Sequence, residues 1–139
     1  MAEYAYVAAQ TVEANANVLF NETAVRGCRC INHRDGSGVV TLRSCNNANT
    51  LYKVSFGANV AIPDGGTVDP ITVAITLRGE PLGSATAIFT PATTGAFGNI
   101  YVSVLVCAQC GCCADVGIIN AGTQAITVQN ANLIVEKED

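Results

Sequence analysis

Ile71-Thr72-Val73-Ala74-Ile75-Thr76-Leu77-Arg78 alternates apolar and small or polar residues along its whole length. Successive side chains of a strand point to opposite faces, so Ile71, Val73, Ile75 and Leu77 share one face and Thr72, Ala74, Thr76 and Arg78 the other. Asp69-Pro70 before it and Gly79-Glu80-Pro81 after it are turn residues that bound the run. Upstream, Tyr52, Val54, Phe56, Ala58 and Val60 alternate with Lys53, Ser55, Gly57 and Asn59, and Ile62-Pro63-Asp64-Gly65-Gly66 supplies the turn. Downstream, Ile100, Val102, Val104 and Val106 form one face of a third strand, whose other face carries Tyr101 and Leu105 and so calls for cover. Shorter strands are predicted over 116–119, 125–129 and 133–135, with weaker candidates at 4–12, 18–20, 39–42 and 86–89. The sum is eight to ten strands without an amphipathic helix, the inventory of an all-β antiparallel sandwich.

At 139 residues the chain is read as a single domain, 1–139, because division would leave two marginal cores. Only 13% of the residues are charged and 50% are apolar, against about 25% charged in an ordinary soluble domain. A surface so poor in charge points to self-association. The net charge is −4, and the seven basic residues are spread singly along the sequence, which argues against nucleic acid as a partner. Met1-Ala2-Glu3-Tyr4-Ala5-Tyr6-Val7 has neither the basic start nor the apolar stretch of a signal peptide. No segment approaches the ~20 apolar residues of a membrane span, so classical secretion and membrane insertion are both unsupported.

Three stretches in order carry a resemblance: Tyr52-Lys53-Val54-Ser55-Phe56-Gly57-Ala58-Asn59, then Ile71 through Arg78 continued by Gly79-Glu80-Pro81, then Ala131-Asn132-Leu133-Ile134-Val135-Glu136-Lys137. Together they resemble the C-terminal domain of the spore-surface collagen-like glycoproteins, within the wider tumour necrosis factor-like and complement-head jelly rolls. They are also similar to small uncharacterised proteins of Firmicutes and their phages. The resemblance runs from about Asn15 to Lys137 and implies a jelly roll that assembles as a homotrimer, at the end of a fibre or stalk. No Gly-x-y collagen repeat precedes the first strand. On this reading Tyr101, Leu105 and the final strand, through Leu133 and Val135, are the candidates for the trimer interface.

Seven cysteines fall into two groups, Cys28, Cys30 and Cys45, then Cys107, Cys110, Cys112 and Cys113. Disulfide stapling of any of the seven suits an exposed structural protein, with an odd thiol left over. Zinc or iron binding by Cys107, Cys110, Cys112 and Cys113 is the second reading, since Cys107 and Cys110 have knuckle spacing. The third is that they are small side chains or free thiols. The loops bearing Cys28 and Cys30 and those bearing Cys110, Cys112 and Cys113 are expected to meet.

Nothing else forms a catalytic constellation. His33-Arg34-Asp35 reads as a polar turn into Gly36-Ser37-Gly38, for want of a glycine-rich phosphate loop or a partner lysine. Asp64, Asp69, Glu80 and Asp115 stand singly at turns or strand ends, and Asn21-Glu22-Thr23 matches a glycosylation sequon that chance alone supplies often. The sequence therefore leads to a non-enzymatic trimer with no cofactor, on a virion surface as a capsid decoration or head-fibre component whose partners are capsid or other surface-assembly proteins. The alternatives are a spore-coat or cell-surface appendage subunit cross-linked by cysteines, and a module whose loops bind a glycan or receptor.

Overall fold

The computed structural model describes residues 1–44, 49–109 and 113–138, and among these it contains eleven strands and no helix. They are β1 (Ala2–Tyr6), β2 (Gln10–Val12), β3 (Glu22–Val25), β4 (Ile31–His33), β5 (Val39–Arg43), β6 (Thr50–Ala61), β7 (Ile71–Leu77), β8 (Glu80–Phe89), β9 (Gly98–Ala108), β10 (Cys113–Asn120) and β11 (Ile126–Lys137). Every pairing is antiparallel. One sheet has the order β3-β1-β11-β6-β9, with β2 continuing beside β11, and the other runs β4-β5-β10-β7-β8. From β5 onward the chain passes repeatedly between the sheets, so strands adjacent in sequence often lie on opposite sides of the core.

The alternating runs place their apolar faces inward. Tyr52, Val54, Phe56, Ala58 and Val60 of β6 are buried against Ile71, Val73 and Ile75 of β7 within one apolar core, which also takes in Leu133 and Val135 of β11. Burial of each large side chain contributes about 1.5–3 kcal/mol. Phe20 and Phe56 meet edge to face at 6.2 Å, the arrangement ring quadrupoles favour. Ala74 and Thr76 on the outer side of β7 are buried as well, so this strand is covered on both faces.

Several boundaries depart from the sequence reading. The short strands expected at 125–129 and 133–135 are one strand, β11, whose register shifts between Gln129 and Asn132. Asn130 takes φ 57° at that irregularity and its N–H donates to the Val7 carbonyl, which lets the strand kink without losing its partners. The candidate 4–12 divides into β1 and β2. Residues 18–20 form no strand, although Val18 and Phe20 are fully buried and residues 17 and 20 make isolated bridges to Ile119 and Ser37. Arg78 and Gly79, both at positive φ, make the two-residue hairpin turn between β7 and β8.

Asn120 ends β10 and is fully buried. Its amide donates to the carbonyls of Val12 at 3.1 Å and Gln124 at 2.9 Å and accepts from the Gly122 N–H at 3.0 Å. A buried amide satisfied this way ties three segments together at no desolvation loss.

Candidate functional site

The outward face of β6, β9 and β11 is built by the same alternation that fills the core. On β9 the outward residues are Asn99, Tyr101, Ser103, Leu105 and Cys107; across the register on β6 stand Asn59, Gly57, Ser55, Lys53 and Leu51. Tyr101 is 62% exposed and Leu105 57% exposed, and Phe97, just before the strand, is 49% exposed. β9 is the last strand of its sheet, so this apolar column runs along an open edge.

The polar groups around the column satisfy one another. The Tyr101 ring lies over Gly57, where an added Cβ would come within 3.8 Å of it. A hydrogen bond to the Ser55 side chain, the largest influence, draws the Tyr101 hydroxyl below its usual range; burial, next in size, opposes it, and a Ser103 hydrogen bond and the charge of Lys53 reinforce it. Asn99 donates to the Asn59 side chain at 3.2 Å, Asn59 to that of Asn130 at 3.1 Å, and Asn132 to the Glu3 carboxylate at 2.9 Å. Lys53 stands opposite Glu136 in the register. A face whose amides and hydroxyls are already paired, and whose remaining surface is aromatic and aliphatic, gains from being covered by another apolar face.

No family model matches the chain, and no curated protein matches it in sequence. Solved structures match it nearly end to end. The globular domain of zebrafish complement 1qA protein superposes with a TM-score of 0.61 at 12% identity, covering 96% of this chain and 94% of that one. Murine APRIL, in a crystal structure at pH 5.0, gives 0.57 at 10% identity, covering 95% and 97%. The PRD1 vertex protein P5 gives 0.54 at 14% identity, covering 99% and 96%. The fold is the tumour necrosis factor-like jelly roll. Identities this low convey the fold and no residue role.

On this jelly roll the candidate interface residues divide. Tyr101 and Leu105 lie outward on the open face, whereas Leu133 and Val135 have no exposed surface. The expectation for those two is corrected: Leu133, Ile134 and Val135 are three apolar residues in a row, and the register places Ala131, Leu133 and Val135 inward, leaving Asn132, Ile134 and Glu136 on the outer face. Periodicity alone gives two faces and does not say which is the core. Phe97 was missed because it precedes the alternating run.

Cys28, Cys30, Cys107 and Cys113 lie among the described residues. Cys113 opens β10 opposite Arg43, and the Arg43 N–H donates to the Cys30 carbonyl at 2.8 Å, so the Cys30 and Cys113 backbones both adjoin the end of β5. Cys30 is disulfide-bonded, Cys28 and Cys107 carry free thiols, and Cys45, Cys110 and Cys112 lie outside the described residues. Strand alternation sends Cys107 to the outer face of one sheet and Cys113 to that of the other. Cys107 and Cys113 thus lie on different outer faces, and among the described residues no three His, Cys, Asp or Glu side chains cluster as a metal site.

His33 is the last residue of β4 rather than part of the turn expected there; the turn is Arg34 to Ser37, with Gly36 at φ 90°. Its ring packs on Tyr4 at 4.5 Å and faces Phe20 at 6.3 Å. Nε2 lies 2.9 Å from the Ser37 carbonyl, which can only accept, so Nε2 carries the proton.

Proposed function

We propose that the protein is a non-enzymatic structural subunit that works as a homotrimer on a virion surface, in the manner of a capsid decoration or head-fibre protein. The observation that carries this reading is the exposed column of Phe97, Tyr101 and Leu105 along the open edge of a tumour necrosis factor-like jelly roll. Three copies arranged around an axis bury that column on one another, and an obligate interface of this kind covers on the order of 2,000 Å² or more. The low charge content of the chain agrees with it. The likeness to a vertex protein over 99% of the chain supports the virion location.

Sedimentation equilibrium of the full chain tests the assembly. The expected result is a mass three times the 14.3 kDa of one chain, unchanged on tenfold dilution; a monomer at micromolar concentration overturns the proposal. Mass spectrometry of density-purified phage particles tests the location. Peptides of this chain in the particles, in a copy number divisible by three, are expected, and their absence from particles that contain the other capsid proteins overturns it.

A further inference from the structure

Opposite the apolar edge, the edges formed by β3 of one sheet and β4 of the other differ in character. Residues 23–44 carry Arg26, Arg29, Arg34 and Arg43 against the single carboxylate of Asp35, a net charge of +3 in a chain of −4. A cavity of about 400 Å³ opens here between the sheets, lined by Tyr4 of β1, Thr23 of β3, Arg26 and Arg29 of the connecting loop, and Asn32 and His33 of β4. That volume lies in the range of small-ligand clefts, about 300–1,000 Å³. It leaves room for more than one small ion.

The cavity wall is ordered by its own hydrogen bonds. The Ile31 N–H donates to the Cys28 carbonyl at 3.0 Å and the Asn32 amide to the Arg29 carbonyl at 3.2 Å, which fixes the loop carrying the arginines. His33 is held by Ser37 and Tyr4, and its Nδ1 is buried without a hydrogen-bond partner among the described residues. The Asp35 carboxylate accepts from Thr23, a residue of the cavity wall, at 3.0 Å. Among the described residues neither the Arg26 nor the Arg29 guanidinium has an ion-pair or hydrogen-bond partner. Two guanidinium groups against one carboxylate leave an uncompensated positive charge in a polar cleft, and a planar guanidinium matches an oxyanion in a bidentate way.

From this geometry we propose that the cavity binds the oxyanion of a hydroxylated ligand, a sulfate or carboxylate group on a sugar. The arginines take the oxyanion, while Asn32, Thr23 and the Tyr4 hydroxyl line the part of the cleft left for the ring hydroxyls. The site is independent of the trimer: β3 and β4 are the far edges from β9 and β8 in their sheets, so covering the apolar column leaves the cavity open.

Titration calorimetry of the full chain at low ionic strength tests the site, with a sulfated disaccharide, its unsulfated parent and inorganic sulfate as probes. The sulfated disaccharide is expected to bind at least about tenfold more tightly than the unsulfated one. Arg26→Gln and Arg29→Gln should each weaken it about tenfold, and Lys137→Gln, which removes the same charge from outside the cavity lining, by less than about twofold. Arg29→Lys keeps the charge and loses the planar fork, so a loss between these two confirms bidentate recognition even if a glutamine variant fails to fold. Inorganic sulfate binding as tightly as the sulfated disaccharide would overturn the sugar and leave the bare oxyanion as ligand. No heat with any probe, or equal loss in the arginine and Lys137 variants, overturns the site itself. Because sedimentation of the arginine variants is unaffected on this account, its failure is separable from failure of the trimer.

Discussion

The two edges of the sandwich are made from the same kind of strand and face solvent on opposite terms. At the β9 edge the side-chain amides of Asn59, Asn99 and Asn130 are paired with each other, and Phe97, Tyr101 and Leu105 are exposed. At the β3 and β4 edge hydrogen bonds fix the loop carrying the arginines, and among the described residues the Arg26 and Arg29 guanidinium groups and His33 Nδ1 are left without partners. A surface with satisfied polar groups and spare apolar area is suited to a like surface; one with spare charge is suited to a ligand of opposite sign. The two proposals rest on this difference, assembly at one edge and recognition at the other, and it can be broken from either side.

The largest effect is expected from charging the apolar edge. Tyr101→Asp combined with Leu105→Asp places six carboxylates where three copies meet, and the trimer should dissociate by at least about a thousandfold. Both positions are exposed in the single chain, so each substitution should change the unfolding free energy of the monomer by no more than about 0.5 kcal/mol. Sedimentation velocity and urea unfolding together check this; a variant that remains trimeric shows that the column is not the contact. Leu133→Ala makes the complementary point on β11. Its side chain fills the core, so about 2–5 kcal/mol of stability should be lost, read as a lower urea midpoint. A Leu133 variant of unchanged midpoint that dissociates the trimer would restore that residue to the interface and dissolve the distinction between the faces.

Gly98 tests whether the apolar edge depends on close closure of the two sheets. An added Cβ would stand 2.2 Å from the Phe89 ring, which packs directly on this glycine where β9 begins beside β8. Gly98→Ala must displace that ring, and overpacking of this kind costs about 1–3 kcal/mol. Thermal unfolding checks it, and an unchanged midpoint would mean that the ring moves aside freely.

The cationic edge was less legible in the sequence than the apolar one, for reasons visible in particular residues. Ile71 through Leu77 and Tyr52 through Val60 announce themselves because each sends its large apolar side chains to one face, and period two is the signature of that arrangement. β3, Glu22–Val25, is exposed at every position and carries no such signature, so neither the strand nor the edge it forms could be read. The arginines are separated by 3, 5 and 9 positions in the chain and look scattered. Strands β3, β4 and β5 fold the segment back on itself, and proximity arises from topology rather than spacing. The face assignment of β11 failed for a different reason, since Ile134 outside and Leu133 inside are chemically alike.

The last test concerns the bond that ties the two regions together. Tyr52 belongs to β6, beneath the apolar face, and its ring crosses the fully buried core so that its hydroxyl donates to the Arg43 carbonyl at 2.6 Å, at the end of β5 on the cationic side. Tyr52→Phe leaves that carbonyl short of a donor and should cost about 1–2 kcal/mol at neutral pH. The alkaline side gives an independent reading. Burial first, and then the Cys28 thiolate, push the Tyr52 hydroxyl above its ordinary 10.0, and burial, Cys28 and Asp35 do the same to Tyr4. Raised values mean that the folded state holds these protons more tightly than the unfolded one. The stability they contribute is therefore complete below pH 10 and is lost as pH rises from there through the folded values, with a slope of up to about 1.4 kcal/mol per pH unit for each group. Tyr52→Phe removes one of the two groups, so its unfolding free energy should fall less steeply above pH 10 than that of the parent, and the two curves should converge. Parallel curves would mean that the Tyr52 hydroxyl ionises as readily in the folded chain as in the unfolded one, and that the contact with Arg43 does not hold the two edges in register.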